Sequence, residues 1–127
     1  MFKLQGLDHI AITVSDLERS VKWYQDVLGM ERHYADMWGD VPAMMMVGGS
    51  GIALFRAKTS MPKPQPDDST LRMRHLAFRA SRAEFDKAQV ALRERGIEFE
   101  FQDHTASHSI YFRDPDGYEI EITTYEV

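Results

Sequence analysis

The chain has 127 residues, 43% of them hydrophobic and 28% charged, the proportions of a soluble globular protein with enough length for its own core. Lys and Arg number 15 against 20 Asp and Glu, a net charge of −5, and that sign argues against a partner recognised through phosphate backbone, so no nucleic-acid role is expected. Cysteine is absent, which excludes disulfides, thiolate zinc sites and a cysteine nucleophile.

The first segment, Met1 to His9, lacks an apolar leader core, and no run approaches the ~18 apolar residues of a membrane span, so the cytoplasm is the expected location and no membrane partner is expected. Leu7 to Val14 alternates, with Leu7, His9, Ala11 and Thr13 on one face and Ile10, Ile12 and Val14 on the other, the pattern of a half-buried strand. Ser15-x-x-Glu18 then reads as a capping box with Ser15 as N-cap. Leu17, Val21, Tyr24 and Leu28 follow at helical spacing, and Gly29 stops the helix. Three strand-like runs come next, at about 31–38, 43–47 and 52–58, with Gly48-Gly49-Ser50-Gly51 as a turn.

Residues 59–70 hold Pro62, Pro64, Pro66, Asp67 and Asp68 and read as a linker between a first module (about 1–58) and a second (about 71–127) of one domain. The second module repeats the first. Met73, His75 and Ala77 oppose Leu76, Phe78 and Ala80; Ser81-x-x-Glu84 caps a helix carrying Phe85, Ala88 and Leu92; Gly96 ends it. Strand-like runs follow at about 97–102, 109–113 and 119–125, with Asp114-Pro115-Asp116-Gly117 as a turn. His9, Ser15 and Glu18 recur as His75, Ser81 and Glu84 at an offset of 66, Gly29 recurs as Gly96 at 67, and Gly51 as Gly117 at 66. The expected fold is therefore α+β, two βαβββ modules whose eight strands form a cupped, partly closed mixed sheet.

The first strand of each module is apolar on one face, which belongs under its helix, and carries a histidine on the other. In the last strand Ile120 and Ile122 share the helix side, while Glu119, Glu121, Thr123 and Tyr125 face away. A lone histidine or carboxylate on a strand is usually a solvated side chain. Here the repeat makes His9 and His75 equivalent and puts both on the same kind of surface. If the strands curve into two facing sheets, that surface is concave, and two imidazoles with one carboxylate would form a facial triad that leaves positions open on a metal.

Three segments carry a resemblance: Leu7-Asp8-His9-Ile10-Ala11, Arg74-His75-Leu76-Ala77-Phe78, and Tyr111 through Glu121 with its Asp-Pro-Asp-Gly turn. Over nearly the whole length the chain resembles the vicinal oxygen chelate superfamily of glyoxalase I, bleomycin-binding proteins, fosfomycin-resistance enzymes and extradiol dioxygenases. The resemblance implies a divalent metal on His9, His75 and Glu121.

Four-ligand members such as glyoxalase I add a donor from the last strand of the first half. The repeat maps Glu121 onto Phe55, or onto Leu54 with a one-residue gap, and neither can ligate. Fosfomycin-resistance enzymes carry a Thr two residues after the first His, where Ala11 stands, and a basic C-terminal tail not found here, so that reading ranks low. Bleomycin-type binders have usually lost the triad. Extradiol dioxygenases fit from His104 through Ile110-Tyr111 and the Asp-Pro-Asp-Gly turn to Glu121, although Gln102 replaces the small residue their signature wants.

By that resemblance the expected function is ring cleavage of a small aromatic diol with O2 on Fe(II), with His104 as acid–base and Tyr111 as hydrogen-bond donor to substrate oxygen. Mn, Zn or Ni are the other ions that could serve; the alternatives are a glyoxalase-like lyase or isomerase, which zinc or nickel would favour, and a small-molecule-sequestering protein, which absence of metal would favour. Trp38, Met44, Met46, Phe55 and Phe78 are candidates for lining or backing an apolar pocket. Each half is too small to close a cup alone, so the halves either face each other within one chain or pair with their counterparts in a second; the resemblance implies the latter, a homodimer with His9 from one chain and His75 and Glu121 from the other.

Overall fold

A computed structural model describes residues Met1–Val127. The chain divides into two compact units, Met1–Lys63 and Pro64–Val127, each built on its own four-stranded mixed sheet. The expected eight strands and two βαβββ modules are all present.

The first unit runs β1 (His9–Val14), α1 (Leu17–Leu28), β2 (Glu31–His33), α2 (Ala35–Trp38), β3 (Ala43–Val47) and β4 (Ser50–Arg56), with sheet order β1-β4-β3-β2. β1 lies parallel to β4, and β4-β3-β2 is an antiparallel meander. Ile12, Val14, Met45, Ile52 and Leu54 are buried on one side of this sheet, together with Leu17 and Tyr24 of α1. Each such side chain contributes about 1.5–3 kcal/mol on burial.

Two local expectations are corrected. The cap of α1 is Asp16, not Ser15: its carboxylate accepts from Arg19 N at 3.1 Å, while the Ser15 hydroxyl accepts from the Arg19 guanidinium at 2.8 Å. A charged oxygen facing a helix N-terminus gains from the helix dipole as well as from the hydrogen bond. The strand expected over 31–38 ends at His33, because Tyr34 takes a left-handed conformation (φ 64°) and starts the short α2.

The second unit runs β5 (Leu76–Arg79), α3 (Arg82–Glu94), β6 (Glu100–Asp103), β7 (His108–Arg113) and β8 (Glu119–Thr124), in the order β5-β8-β7-β6. Ser81 caps α3 as expected, accepting from Glu84 N at 3.2 Å. Leu76, Ile110, Phe112 and Ile120 are buried with Phe85 and Leu92 of α3. Asp114 Oδ1 accepts from Asp116 N and Tyr118 N and so pins the Asp-Pro-Asp-Gly turn between β7 and β8. No helix is long and apolar enough to cross a membrane.

Candidate metal centre

In the second unit the pairing Ala77↔Glu121 sets β5 beside β8, and His75 stands one residue before β5 begins, on the face of Ala77. Its Nε2 lies 2.9 Å from Glu121 Oε1. The Glu121 side chain is only 10% exposed, and an ionised carboxylate that deep requires partners. Ser109, fully buried on β7, donates its hydroxyl to Glu121 Oε2 at 2.6 Å and lies 3.0 Å from Thr123 Oγ1. Glu121 therefore has one oxygen held from behind and the other turned to the imidazole. On the far side of the ring, His75 Nδ1 is 3.7 Å from Glu119 Oε1.

Tyr111 pairs across the strands with Glu121, and its ring meets the His75 ring edge to face, with centroids 5.8 Å apart. Burial raises the phenol above its usual value near 10, and the negative charge of Glu121 adds to that shift. The Tyr111 hydroxyl lies 3.0 Å from His104 Nε2. His104 is placed by a tight loop in which its own N–H donates to Ser107 O at 2.8 Å and Thr105 adopts φ 70°. The second unit thus brings four of the five sequence-predicted site residues, His75, Glu121, Tyr111 and His104, onto one connected surface. An open groove of about 650 Å³ runs from Tyr111 along Arg113 and Glu119 to Glu98 and Glu100.

His9, the fifth, is exposed at the start of β1 on the side away from α1, and Asp8 Oδ2 engages its Nδ1 at 2.7 Å. His9 thus has Nδ1 held by a carboxylate, a contact of the kind that fixes tautomer and ring orientation in metal sites, whereas His75 makes its close contact through Nε2, to Glu121. The bonds of Ser109 to Glu121 and of Asp8 to His9 were not foreseen from the sequence; the signals were a hydroxyl two residues before Tyr111 and an acid adjacent to the histidine. His108 lies on the helix side of its sheet, 2.9 Å from the Arg82 guanidinium. His33 lies on the same side of the first sheet as His9, with its Nε2 3.6 Å from Glu31.

The counterpart of Glu121 in the first unit needs correction. Ala77 pairs with Glu121, and two residues after His9 the corresponding Ala11 pairs with Ala53. The strands thus align at an offset of 68 rather than 66, and neither Phe55 nor Leu54 is the match. Ala53 cannot ligate either, so no fourth donor arises there. Gly51 and Gly117 are not equivalent: Gly51 pairs with His9 inside β4, whereas Gly117 is a turn residue with φ 85°. Phe78 pairs with Ile122 on the helix side and is not on the histidine face.

Imidazole nitrogen and carboxylate oxygen are donors that would suit a divalent ion of intermediate hardness, and here one of each lies in direct contact at 2.9 Å. The second unit holds His75 and Glu121 and the first holds His9, and the structure gathers no group of three His, Asp or Glu side chains able to hold a metal ion.

A family model described as the Glyoxalase/Bleomycin resistance protein/Dioxygenase superfamily matches residues 6–122. A glutathione transferase FosA from Serratia marcescens is 31% identical over 121 residues, 94% of this chain and 80% of that protein. A metallothiol transferase FosB from Lysinibacillus sphaericus is 32% identical over 124 residues, 95% of this chain and 83% of that protein. Among solved structures, a glyoxalase/dioxygenase from Nostoc punctiforme aligns with a TM-score of 0.78 at 29% identity, covering 95% of this chain and 91% of the other.

Proposed function

The chain belongs to the glyoxalase/bleomycin resistance protein/dioxygenase superfamily, and from that premise we propose that it is a divalent-metal enzyme that adds a thiol to a small oxygen-bearing electrophile. The observation that carries the metal centre is the 2.9 Å approach of His75 Nε2 to Glu121 Oε1 beside Tyr111 and His104. The thiol-transfer class rests on the transferases found at 31% and 32% identity.

His9, His75 and Glu121 hold the ion, and Asp8, Glu119 and Ser109 orient them. When bound, the ion contributes Lewis acidity toward a substrate oxygen. Ser109 donates to Glu121 Oε2 and aims the carboxylate. Tyr111 donates its hydroxyl to the substrate oxygen on which charge develops. As the carbon–sulfur bond forms and the carbon–oxygen bond breaks, the proton lost by the thiol passes to His104 and from there, through the Tyr111 hydroxyl, to the released oxygen, so that one proton moves in all from sulfur to oxygen. The working unit is a homodimer with two ions, His9 of each chain completing the pair His75 and Glu121 of the other.

A second reading, ring cleavage of a small aromatic diol on Fe(II), is supported by one observation, the 3.0 Å His104–Tyr111 contact, since that chemistry needs an acid–base group and this pair could supply one. One experiment separates the two. Protein loaded with Mn, Zn or Fe(II) is assayed for thiol consumption with small epoxides and for oxygen uptake with a catechol panel. Thiol consumption supports the first reading; oxygen uptake with a yellow ring-opened product replaces it by the second. His9→Ala, His75→Ala and Glu121→Ala each lower metal content in elemental analysis, and wild-type content in all three overturns the metal centre.

A further inference from the structure

The hairpin of β6 and β7 carries different chemistry on its two faces. Glu100 and Tyr111 pair on the metal face, whereas the closing pair of the hairpin, Asp103 and His108, lies on the helix side with Phe101 and Ile110. Only His104, Thr105, Ala106 and Ser107 connect that pair. The chain therefore passes from the helix side to the Tyr111 hydroxyl in one residue step, from Asp103 to His104.

That step is held from the helix side. Thr105 adopts φ 70°, a conformation that a β-branched residue keeps only when its surroundings impose it. Asp103 Oδ1 accepts from Thr105 N at 2.8 Å, and the same oxygen faces His108 Nε2 at 3.5 Å. On the other side of the imidazole, the Arg82 guanidinium lies 2.9 Å from Nδ1. Arginine can only donate, so Nδ1 accepts, and the proton of the neutral ring sits on Nε2, toward Asp103.

The anchor of this ring is itself fixed. Asp86 accepts from the Arg82 guanidinium at 3.1 Å, Glu126 accepts from Arg82 N at 3.2 Å, and the guanidinium carbon lies 5.2 Å from the centre of the buried Phe85 ring. The Phe101 ring packs edge to face on His108 with centroids 5.3 Å apart. A continuous series of contacts thus runs from the first turn of α3 through His108 and Asp103 to the backbone beside His104.

We propose that His108 and Asp103 are positioning residues for His104: anchored by Arg82 on the helix side, they hold the loop that presents the His104 imidazole to Tyr111 on the metal face. The consequence for turnover rests on the role assigned above to His104.

The test uses the full chain and reads the loop by NMR before any metal or substrate is added. Asp103→Ala removes the acceptor; at 63% exposure its side chain is dispensable for folding. In this variant the Thr105 amide exchanges on the order of tenfold faster, and the cross-peaks between the His104 and Tyr111 rings are lost. Asp103→Asn keeps an oxygen for Thr105 N and retains both signals. His108→Phe keeps the packing on Phe101 but removes both nitrogens, and Arg82→Ala spares the ring but removes its anchor. Each weakens the same cross-peaks and speeds the same exchange by roughly twofold to tenfold, since the carboxylate remains but is no longer aimed. In metal-loaded protein, Asp103→Ala lowers kcat for thiol transfer about tenfold, part of what an acid–base group contributes, with KM and metal content unchanged.

Wild-type spectra for Asp103→Ala, or for both His108→Phe and Arg82→Ala, overturn the positioning role. A loss in Asp103→Asn as complete as in Asp103→Ala overturns it too, and an unchanged kcat in Asp103→Ala overturns its bearing on turnover. The spectra need neither ion nor substrate. Absence of thiol transfer in the wild type therefore overturns the reaction class alone, and the placement of His104 stands or falls on the NMR.

Discussion

His104 Nε2 lies 3.0 Å from the Tyr111 hydroxyl, and Tyr111 in turn packs against His75. Neither His104 nor Tyr111 is a metal donor in the arrangement proposed, so their loss separates turnover from metal binding. His104→Ala lowers kcat by about 10²–10⁴-fold at unchanged metal content. Tyr111→Phe removes one hydrogen bond and costs about 1.5–3 kcal/mol of transition-state stabilisation if its partner is charged. Steady-state kinetics beside elemental analysis of the same samples checks both; a parallel loss of metal would assign them to the ion instead.

Ser109→Ala deletes the donor behind Glu121 without touching the ligand itself. Metal affinity drops by about 10–100-fold, the usual scale for an outer partner of a ligand. Circular dichroism stays that of the wild type, because the hydroxyl is small and the strand ladder is unaffected. Competition with a chromophoric chelator measures the change, and Ser109→Thr, which keeps the hydroxyl, restores part of it.

Metal removal lowers thermal stability by mass action. An ion present at a hundred times its dissociation constant stabilises the folded state by about 2.7 kcal/mol. Chelator-treated protein therefore melts several degrees lower than the loaded form, at about 2–4 °C per kcal/mol for chains somewhat longer than this one. The difference disappears in His75→Ala, which differential scanning fluorimetry reads directly.

Core truncation sets the scale for structural damage. Leu54 on β4 and Phe85 on α3 are both fully buried. Leu54→Ala costs about 2–5 kcal/mol and Phe85→Ala about 3–5 kcal/mol in urea unfolding. Neither affects the metal affinity of the protein that remains folded, since both side chains lie on the helix side of their sheets.

The turn entering the second unit is acid-sensitive. Hydrogen bonds from Ser69 hold the Asp67 carboxyl below its usual value of 3.8, and the Arg72 guanidinium, with Arg74, does the same for Asp68. A depressed folded value means that the contribution is fully present above the unfolded value and is lost as pH falls through the folded one. Amide exchange at Ser69 and Thr70, corrected for intrinsic rate, rises below pH 4 while that of β8 does not.

Much of this arrangement was legible because strand alternation has a period of two and tolerates no ambiguity once one face is apolar. Ile10, Ile12 and Val14 declared the helix side of β1, and His9 followed; Ile120 and Ile122 did the same for Glu121. Chain ends of elements were less legible. Ser15 and Asp16 are both competent caps, and only the dipole term separates them. Tyr34 breaks β2 in a conformation that no local residue pattern announces. The pairing of Ala53 with Ala11 was hidden because the glycine repeat at 66 residues mimicked a structural offset that is really 68. Ala11, which counted against the fosfomycin-resistance reading, does not set the chain apart from those relatives at the level of whole-sequence similarity.

Ala53 also shows how little separates the two halves of this duplicated chain as metal sites. Its backbone occupies the station that Glu121 holds in the second sheet, beside an alanine in both cases. A single carboxylate grafted at Ala53 would give each half one imidazole and one acid at matching stations. The duplicated backbone thus offers the same station twice, and this chain fills one with a carboxylate and leaves only a methyl group at the other.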